Sequence, residues 1–352
     1  MSLVSIVTNK GFPIIVSDRA LSKPGSCEPI EHPLRNKMVD FSVYETNNGI
    51  YSYVQKTSII KDVLCMGLVG IVADLKEVHA NVNDFFLHRE VNPETLSELF
   101  EEFNFNDYNE CSITFLLARP DLGQNRVDIH KFGNWTESEH LIYGRRFTAG
   151  SGTKTWHELM KYNVDIFNEN QPFYPGLLLH SIILPAVIKS MIDEKRTPDN
   201  LLDGWGSGLD VIYYYGGQFN RIDNIAYAFW QVNLAHSEVI SLHSVIHESH
   251  HNGILILRNA GKHEYKVYQI NQFNSATVEN KLLSPFYESK RVISIIVVLK
   301  GKEHLTDLVV LGNMESKDVD FRMVEHDGKF GLAFSSTYDE GLKNGLNEYL
   351  YK

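Results

Sequence analysis

Apolar and polar residues alternate at the start of the chain with the two-residue period of a β-strand. Leu3 to Thr8 is rich in β-branched residues, Asn9-Lys10-Gly11 supplies a turn, and Phe12 to Ser17 continues as a second apolar strand. The pattern predicts a β-hairpin that ends at Asp18.

The next segment, residues 20–50, is rich in Pro, Gly, Asn and Ser, which predicts a long irregular insertion. Strands are predicted again over Tyr51–Ile60 and Val63–Val69. Apolar residues at helical spacing then predict a helix over Ala73–Arg89, and Asn92-Pro93 is typical of the start of a second helix.

Alternating strand and helix patterns continue to about residue 230. They predict strands over Ser112–Ala118 and Val127–Phe132, a helix that follows Phe147–Gly152 from Lys154 to about Asn168, an apolar helix after Tyr174-Pro175, and strands over Val211–Tyr215 and Ile222–Trp230. This order favours an α+β fold in which two stacked sheets are covered by helices, a four-layer αββα sandwich.

The pattern changes from about Ala235 onward, where predicted strands follow one another with few helices between them. These strands are Ile254–Leu257, Tyr265–Ile270, Val292–Leu299 and Leu308–Leu311. We therefore expect a sandwich domain over residues 1–230 and a β-rich C-terminal extension over residues 231–352.

Composition and net charge limit the kinds of partner that we expect the chain to bind. The chain has 352 residues, 43% of them hydrophobic, which is enough for a large buried core. Its formal net charge of −11 disfavours nonspecific binding to nucleic acid or to an anionic membrane.

Cysteine usage and the absence of a leader pattern indicate the cytoplasm. Cys27, Cys65 and Cys111 are far apart, so they form neither a disulfide framework nor a CxxC metal pair. The first residues lack the pattern of a signal peptide. The longest apolar stretch, Pro175 to Ile192, contains polar residues and prolines and is predicted to be a buried helix.

Five histidines lie within sixteen residues, a density that raises the question of metal binding. They are His236, His243, His247, His250 and His251, with Glu248 among them. No HExxH motif is present, and strand-like alternation would scatter the rings. We interpret them as solvated or hydrogen-bonded residues and assign no metal and no cofactor.

Four stretches, in a fixed order over residues 2–230, carry a resemblance to a known family. They are Ser2 to Gly11 continuing to Asp18; Lys56 to Ile60 with the glycine-rich Cys65 to Asp74; Thr148-Ala-Gly-Ser-Gly152; and Asp203-Gly-Trp-Gly-Ser207-Gly208 before a strand. Together they resemble proteasome β-type subunits and the related bacterial ATP-dependent peptidase, which are N-terminal-nucleophile (Ntn) hydrolases.

The resemblance implies a catalytic role for seven residues. Removal of Met1 would expose Ser2 as a nucleophile whose own α-amine, with a pKa of about 8, acts as base. Asp18 and Lys56 would tune the hydroxyl, and the Gly70 amide would stabilise the oxyanion. Ser151, Asp203 and Ser207 would orient the amine and a water molecule.

Each of these residues also has a structural explanation. Ser2 is a common second residue, Asp18 can close a turn, and Lys56 can be a solvated lysine with Lys61 as a rival. The insertion between Asp18 and Lys56 is longer than the family's loop. Turn chemistry alone accounts for Gly70, Ser151 and Ser207, and Asp203 can be an ordinary loop residue.

The resulting hypothesis is an amide-bond hydrolase that acts on a peptide or protein. The resemblance also implies a homo-oligomer, with an ATPase or regulatory partner as an open question. The alternatives are a noncatalytic scaffold or sensor on the same fold and a small-molecule Ntn amidase.

Overall fold

A computed structural model describes most of the chain. The described residues are 2–9, 11–24, 28–34, 37–39, 48–122, 126–140, 144–164, 178–196, 199–202, 204–222, 225–233, 239–251, 254–261, 265–272, 291–300, 303–311, 322–326 and 329–333. Among these residues no helix is both long and apolar enough to cross a membrane. The chain divides into two compact units, Met1–Ile222 with Ile270–Ala276, and Asp223–Gln269 with Thr277–Lys352.

The first unit contains two main antiparallel sheets. Its strands are β1 (Val4–Asn9), β2 (Phe12–Asp18), β3 (Ala20–Pro24), β4 (Ile30–His32), β5 (Lys37–Val39), β6 (Asn48–Tyr53), β7 (Thr57–Ile60), β8 (Leu64–Val69), β9 (Ser112–Ala118), β10 (Val127–Phe132), β11 (Thr136–His140), β12 (Gly144–Ala149), β13 (Leu209–Tyr215) and β14 (Gln218–Arg221). One sheet has the order β11-β12-β1-β2-β13-β14 and the other β10-β9-β8-β7. The predicted hairpin is confirmed, with Val4 opposite Ser17 and Asn9 opposite Phe12.

The helices of this unit are α1 (Val72–Phe86), α2 (Pro93–Glu102), α3 (Thr153–Val164), α4 (Leu184–Arg196) and α5 (Asp199–Leu202). A π-helical turn, Leu179–Ile183, leads into α4. The α2 helix begins where predicted, because Asn92 and Thr95 form a reciprocal cap and Pro93 occupies the first turn. The predicted end of α3 near Asn168 and the segment at Tyr174-Pro175 lie outside the described residues.

The two main sheets and the first two helices are held together by buried apolar clusters. Residues of both sheets, including Val4, Ile15, Cys65 and Leu116, pack in one buried cluster between the sheets. A second cluster joins the other face of the four-stranded sheet to α1 and α2, with Leu75, Val78, Val82 and Phe86 at helical spacing. Helix, sheet and sheet thus form successive layers. Completion of the αββα sandwich by α3 and α4 remains a prediction.

The prediction of an irregular segment over residues 20–50 is wrong in part. Strands β3 and β6 pair with each other, with Ser22 opposite Ile50, and β4 pairs with β5. Ala20, Val39, Ile50 and Leu201 form a buried cluster beneath them. A pairing partner almost thirty residues away leaves no local periodicity, so the pattern could not reveal it. The predicted strand over Tyr51–Ile60 is likewise two strands, β6 and β7, interrupted at residues 54–56.

The second unit is built on a six-stranded sheet with the order β18-β17-β16-β15-β19-β20. Its strands are β15 (Ile225–Asn233), β16 (Val239–His251), β17 (Ile254–Gly261), β18 (Tyr265–Ile270), β19 (Arg291–Lys300) and β20 (Glu303–Leu311), followed by a hairpin of β21 (Arg322–His326) and β22 (Lys329–Ala333). Strand β15 begins at Ile225, so the division between units falls a few residues before position 230. The four strands predicted after Ala235 lie within β17, β18, β19 and β20.

Candidate functional site

A buried ion pair lies at the end of the first hairpin. Lys56 Nζ is 2.5 Å from Asp18 Oδ1 and 2.5 Å from the carbonyl oxygen of Ala20, and neither charged side chain is exposed to solvent. Asp18 is the last residue of β2, and Lys56 lies immediately before β7. The two sheets therefore bring together two residues that the long insertion separates in sequence.

Asp18 is held by three backbone N–H donors in addition to the lysine. Its carboxylate accepts from Leu3 at 2.7 Å, Ala20 at 3.2 Å and Gly206 at 2.9 Å. Burial raises the pKa of Asp18, while the Lys56 charge and these donors oppose that rise. Burial likewise lowers the pKa of Lys56, and the Asp18 charge opposes it. The pair is thus fixed in position and strongly coupled.

Ser2 lies directly before Leu3, whose backbone N–H donates to the Asp18 carboxylate. Its side chain is buried, and its carbonyl oxygen accepts from the Gly152 N–H at 3.3 Å. Gly150 has φ +100°, and a Cβ there would lie 1.9 Å from the Ser2 carbonyl oxygen. Only glycine permits this close approach. The start of β1 is therefore held by Asp18 through Leu3 and by the Gly150–Gly152 turn through Ser2.

Gly70 follows the strand that hydrogen-bonds to Lys56, and Ser151 lies in the turn beside Ser2. Gly70 follows β8, in which the Leu68 N–H donates to the Lys56 carbonyl oxygen at 2.9 Å. Gly70 has φ +144°, and a Cβ there would lie 2.6 Å from the Cα of Cys111, so packing alone requires a glycine. Ser151 is exposed and sits in the turn that contacts Ser2. The catalytic roles of both residues stay predictions.

Ser207 occupies a strained, buried position in the loop before β13. Its φ is +66°, which is uncommon for a residue with a side chain, and its backbone N–H donates to the carboxylate of Glu194. Its hydroxyl has no hydrogen-bond partner among the residues that the structure describes. Asp203, the companion of Ser207 in the predicted motif, lies outside the described residues.

Sequence reasoning missed a second group of buried charges beside the pair. Asp210 Oδ1 is 2.8 Å from Arg19 Nη2, and Asp210 Oδ2 is 2.9 Å from Arg221 Nη1. Together with Asp18 and Lys56, these side chains form a buried group of opposite charges. The available signal was Asp210 itself, a charged residue inside the apolar strand Leu209–Tyr215.

Cys65, which is buried between the two sheets, does not compete as a nucleophile. Burial raises the pKa of Cys65 to about 12, despite the opposing charge of Arg221. Cys65 therefore stays a protonated, inert core residue at neutral pH.

Four of the five clustered histidines, His243, His247, His250 and His251, lie in strand β16, as their alternation indicated. His243 lies at a β-bulge and is exposed, whereas His247 is buried with its Nδ1 3.4 Å from Arg258 Nη1. No group of three metal-ligating residues is found within the described part of the chain. His236 and the side chain of His251 lie outside that part.

Comparison with known proteins finds similarity among solved structures but none among family models or curated sequences. No family model matches the sequence, and no curated protein matches it. A solved structure of eukaryotic HslV from Trypanosoma brucei is similar, with 14% sequence identity, 60% of this chain and 99% of that chain covered, and a TM-score of 0.30. A TM-score of this size does not establish a shared fold.

Proposed function

We propose that this protein is an amide-bond hydrolase that uses Ser2, exposed by removal of Met1, as an N-terminal nucleophile. The observation that carries the proposal is the contact chain from Leu3 to Asp18 to Lys56, with donor–acceptor distances of 2.7 Å and 2.5 Å. It places residue 2 one peptide away from a buried carboxylate–ammonium pair, a setting that perturbs pKa values and is typical of catalytic sites.

The chemistry requires only the chain and a water molecule. The free α-amine of Ser2 would take the hydroxyl proton, directly or through water, as the oxygen attacks the substrate carbonyl carbon. The C–N bond would then break, with the proton passing to the departing amine. Water would hydrolyse the resulting ester by the reverse transfers, which releases the acid and restores Ser2.

The surrounding residues have distinct proposed roles. The Lys56 ammonium, held by Asp18, would stabilise the developing alkoxide, and the Gly70 N–H would donate to the oxyanion. Ser151, Asp203 and Ser207 would orient the amine and the water. No cofactor enters this scheme.

The same proposal extends to assembly and location. We expect a cytoplasmic homo-oligomer built on a four-layer αββα sandwich, acting on peptides or proteins, with an ATPase or regulatory partner still to be sought. Size-exclusion chromatography with light scattering measures the oligomeric order directly. A monodisperse monomer would contradict the assembly but not the chemistry.

Hydrolysis of fluorogenic peptide amides by three matched proteins tests the proposal. The wild-type protein and Ser2→Thr keep a hydroxyl on the first residue and should release the fluorophore, whereas Ser2→Ala should not. Activity on small acyl amides alone would favour the amidase alternative. Equal release by the wild type and Ser2→Ala would overturn the role of Ser2, and no release by a wild type shown to lack Met1 would favour the noncatalytic scaffold.

A further inference from the structure

We propose that Glu194, supported by His32, is a positioning residue that sets the geometry of the Asp18–Lys56 pair. Neither residue belongs to the predicted catalytic set. The expected effect on rate rests on the proposed function, whereas the expected effect on the position of Asp18 does not. It follows from three successive contacts that lead from the insertion to the site.

The first contact is the peptide group of Gly206. Its N–H donates to Asp18 Oδ2 at 2.9 Å, and its carbonyl oxygen accepts from the backbone N–H groups of Arg19 at 3.0 Å and Ala20 at 3.1 Å. Gly206 has φ +124°, a conformation that glycine adopts readily. Of the three backbone donors to Asp18, this one comes from a loop far along the chain. The loop must therefore be held in place by other contacts.

Glu194 provides the second contact. Its side chain is fully buried, and Oε1 accepts from the Ser207 N–H. A Cβ on Gly206 would lie 3.1 Å from both carboxylate oxygens of Glu194, so the carboxylate packs directly against that residue. Ser207 has φ +66°, a conformation that is unfavourable for most residues with a side chain and needs a compensating contact. The Glu194 carboxylate supplies this compensation.

His32 provides the third contact. Its Nε2 lies 3.1 Å from Glu194 Oε1, with both side chains fully buried. The Leu34 N–H donates to His32 Nδ1 at 3.1 Å, and this bond helps to hold the ring beside the carboxylate. Lys195 Nζ donates to the Leu34 carbonyl oxygen at 3.1 Å. Strand β4 of the insertion is thereby attached to helix α4.

The three contacts form one path from β4 through Glu194 and the Gly206–Ser207 loop to Asp18. Loss of the Glu194 acceptor would release the Ser207 N–H and allow the Gly206 N–H to move away from Asp18. Lys56 and Ser2 would remain present but misaligned. A displacement of about 1 Å can lower a catalytic rate about a hundredfold. Strand β4 of the insertion thus helps to hold the Gly206–Ser207 loop, and through it Asp18, in position.

Two Glu194 variants and a neighbour on the same helix test this role. Glu194→Ala removes the acceptor, whereas Glu194→Gln keeps an amide oxygen for the same N–H. Asp193→Ala is the matched control, because that carboxylate lies on the same helix, is 39% exposed and forms an ion pair with Lys189 at 2.5 Å. We expect kcat to fall about ten- to a hundredfold in Glu194→Ala, to stay within about threefold in Glu194→Gln and to be unchanged in Asp193→Ala, with KM little altered.

The ¹H–¹⁵N resonance of the Gly206 amide gives a readout that does not depend on activity. In the wild type it should follow the titration of Asp18, because the N–H donates to that carboxylate. In Glu194→Ala this response should be lost, and in Glu194→Gln it should persist. An unchanged Gly206 response in a folded Glu194→Ala protein would overturn the inference.

A milder variant covers the case in which Glu194→Ala does not fold. His32→Leu keeps the volume of the buried side chain but removes the support of Glu194, and it should weaken the titration response of the Gly206 amide by less than Glu194→Ala does. An unchanged response in His32→Leu would contradict the positioning role. If the wild type hydrolyses nothing but the amide responses follow this pattern, the proposed function fails and the positioning role survives.

Discussion

The site at the start of the chain and the histidine-rich strand β16 are opposite cases of how sequence distance relates to spatial distance. Ser2, Asp18, Lys56 and Gly206 are spread over two hundred positions, yet hydrogen bonds of 2.5 to 2.9 Å connect Asp18 to Lys56, Gly206 and the residue after Ser2. In β16 the histidines are neighbours in sequence, yet one is exposed at a bulge and another is buried beside Arg258.

The difference follows from the geometry of strands. Successive residues of a strand point to opposite faces, so a dense run of one residue type is divided between two environments. Residues at strand ends and loops of stacked sheets can instead meet around one buried charge. We therefore expect catalysis where separate segments of the chain meet around Asp18. Substitutions at these segments test that expectation.

The largest expected effect is the loss of hydrolysis in Lys56→Met. Without the ammonium, the Ser2 hydroxyl would lose the charge that stabilises its alkoxide, and we expect kcat/KM to fall by about 10²–10⁴. Lys61→Met is the matched control, because Lys61 is exposed and donates to the Arg89 carbonyl oxygen. The measurement is the release of fluorophore from peptide amides at a temperature where circular dichroism shows both variants folded. A larger loss in Lys61→Met would transfer the role to that lysine.

The same substitution should also be costly for stability. Lys56→Met leaves the Asp18 carboxylate buried and without its cation, which is expected to lower the free energy of unfolding by about 3–5 kcal/mol. Lys189→Met breaks a half-exposed pair with Asp193 and should change it by about 0.5 kcal/mol or less. Urea denaturation of both variants measures the difference. If both variants lowered the free energy of unfolding by the same small amount, the charge of Lys56 would contribute little to stability.

A smaller effect is expected from filling the turn that contacts Ser2. Gly150→Ala combines a strained φ of +100° with a Cβ 1.9 Å from a backbone oxygen, and it should cost at least about 2 kcal/mol. Gly217→Ala has a comparable φ of +87° with no atom within 4 Å, so it should cost only the strain, about 1 kcal/mol. Thermal denaturation compares the two. A cost for Gly217→Ala as large as that for Gly150→Ala would argue against a tight contact at Ser2.

The smallest expected effect is the pH dependence that the buried His79 gives to the free energy of unfolding. His79 is buried with Nε2 3.0 Å from Ser58 Oγ, and burial lowers its pKa below the ordinary value of 6.5. Its neutral form is favoured in the folded state, so its contribution to stability is fully present above pH 6.5 and is lost as the pH falls from 6.5 toward the lowered pKa.

Replacement of His79 should therefore flatten the pH dependence. His79→Gln and the wild type are compared by urea denaturation between pH 7.5 and pH 5. An identical slope for His79→Gln and the wild type would place the titrating group elsewhere.

The apolar periodicity and the capping residues of the sequence predicted those helices and strands that are specified by neighbouring residues. The hairpin of β1 and β2, helices α1 and α2, and strand β9 lie close to their predicted ranges, because apolar periodicity and the cap at Asn92 specify them. The proximity of Asp18 and Lys56 came from the resemblance, since no spacing argument can bridge an insertion of unknown path. Glu194 and His32 gave no signal, because their meaning depends on contacts between distant segments.

The central claim concerns the first residue, and a mass measurement with a peptide epoxyketone tests it most directly. This reagent requires a hydroxyl and a free amine on the same residue for its full adduct. The account predicts an intact mass without Met1 and one adduct that peptide mapping places on Ser2, absent from Ser2→Ala. Retention of Met1 on protein that hydrolyses amides, or an adduct that persists in Ser2→Ala, would contradict it.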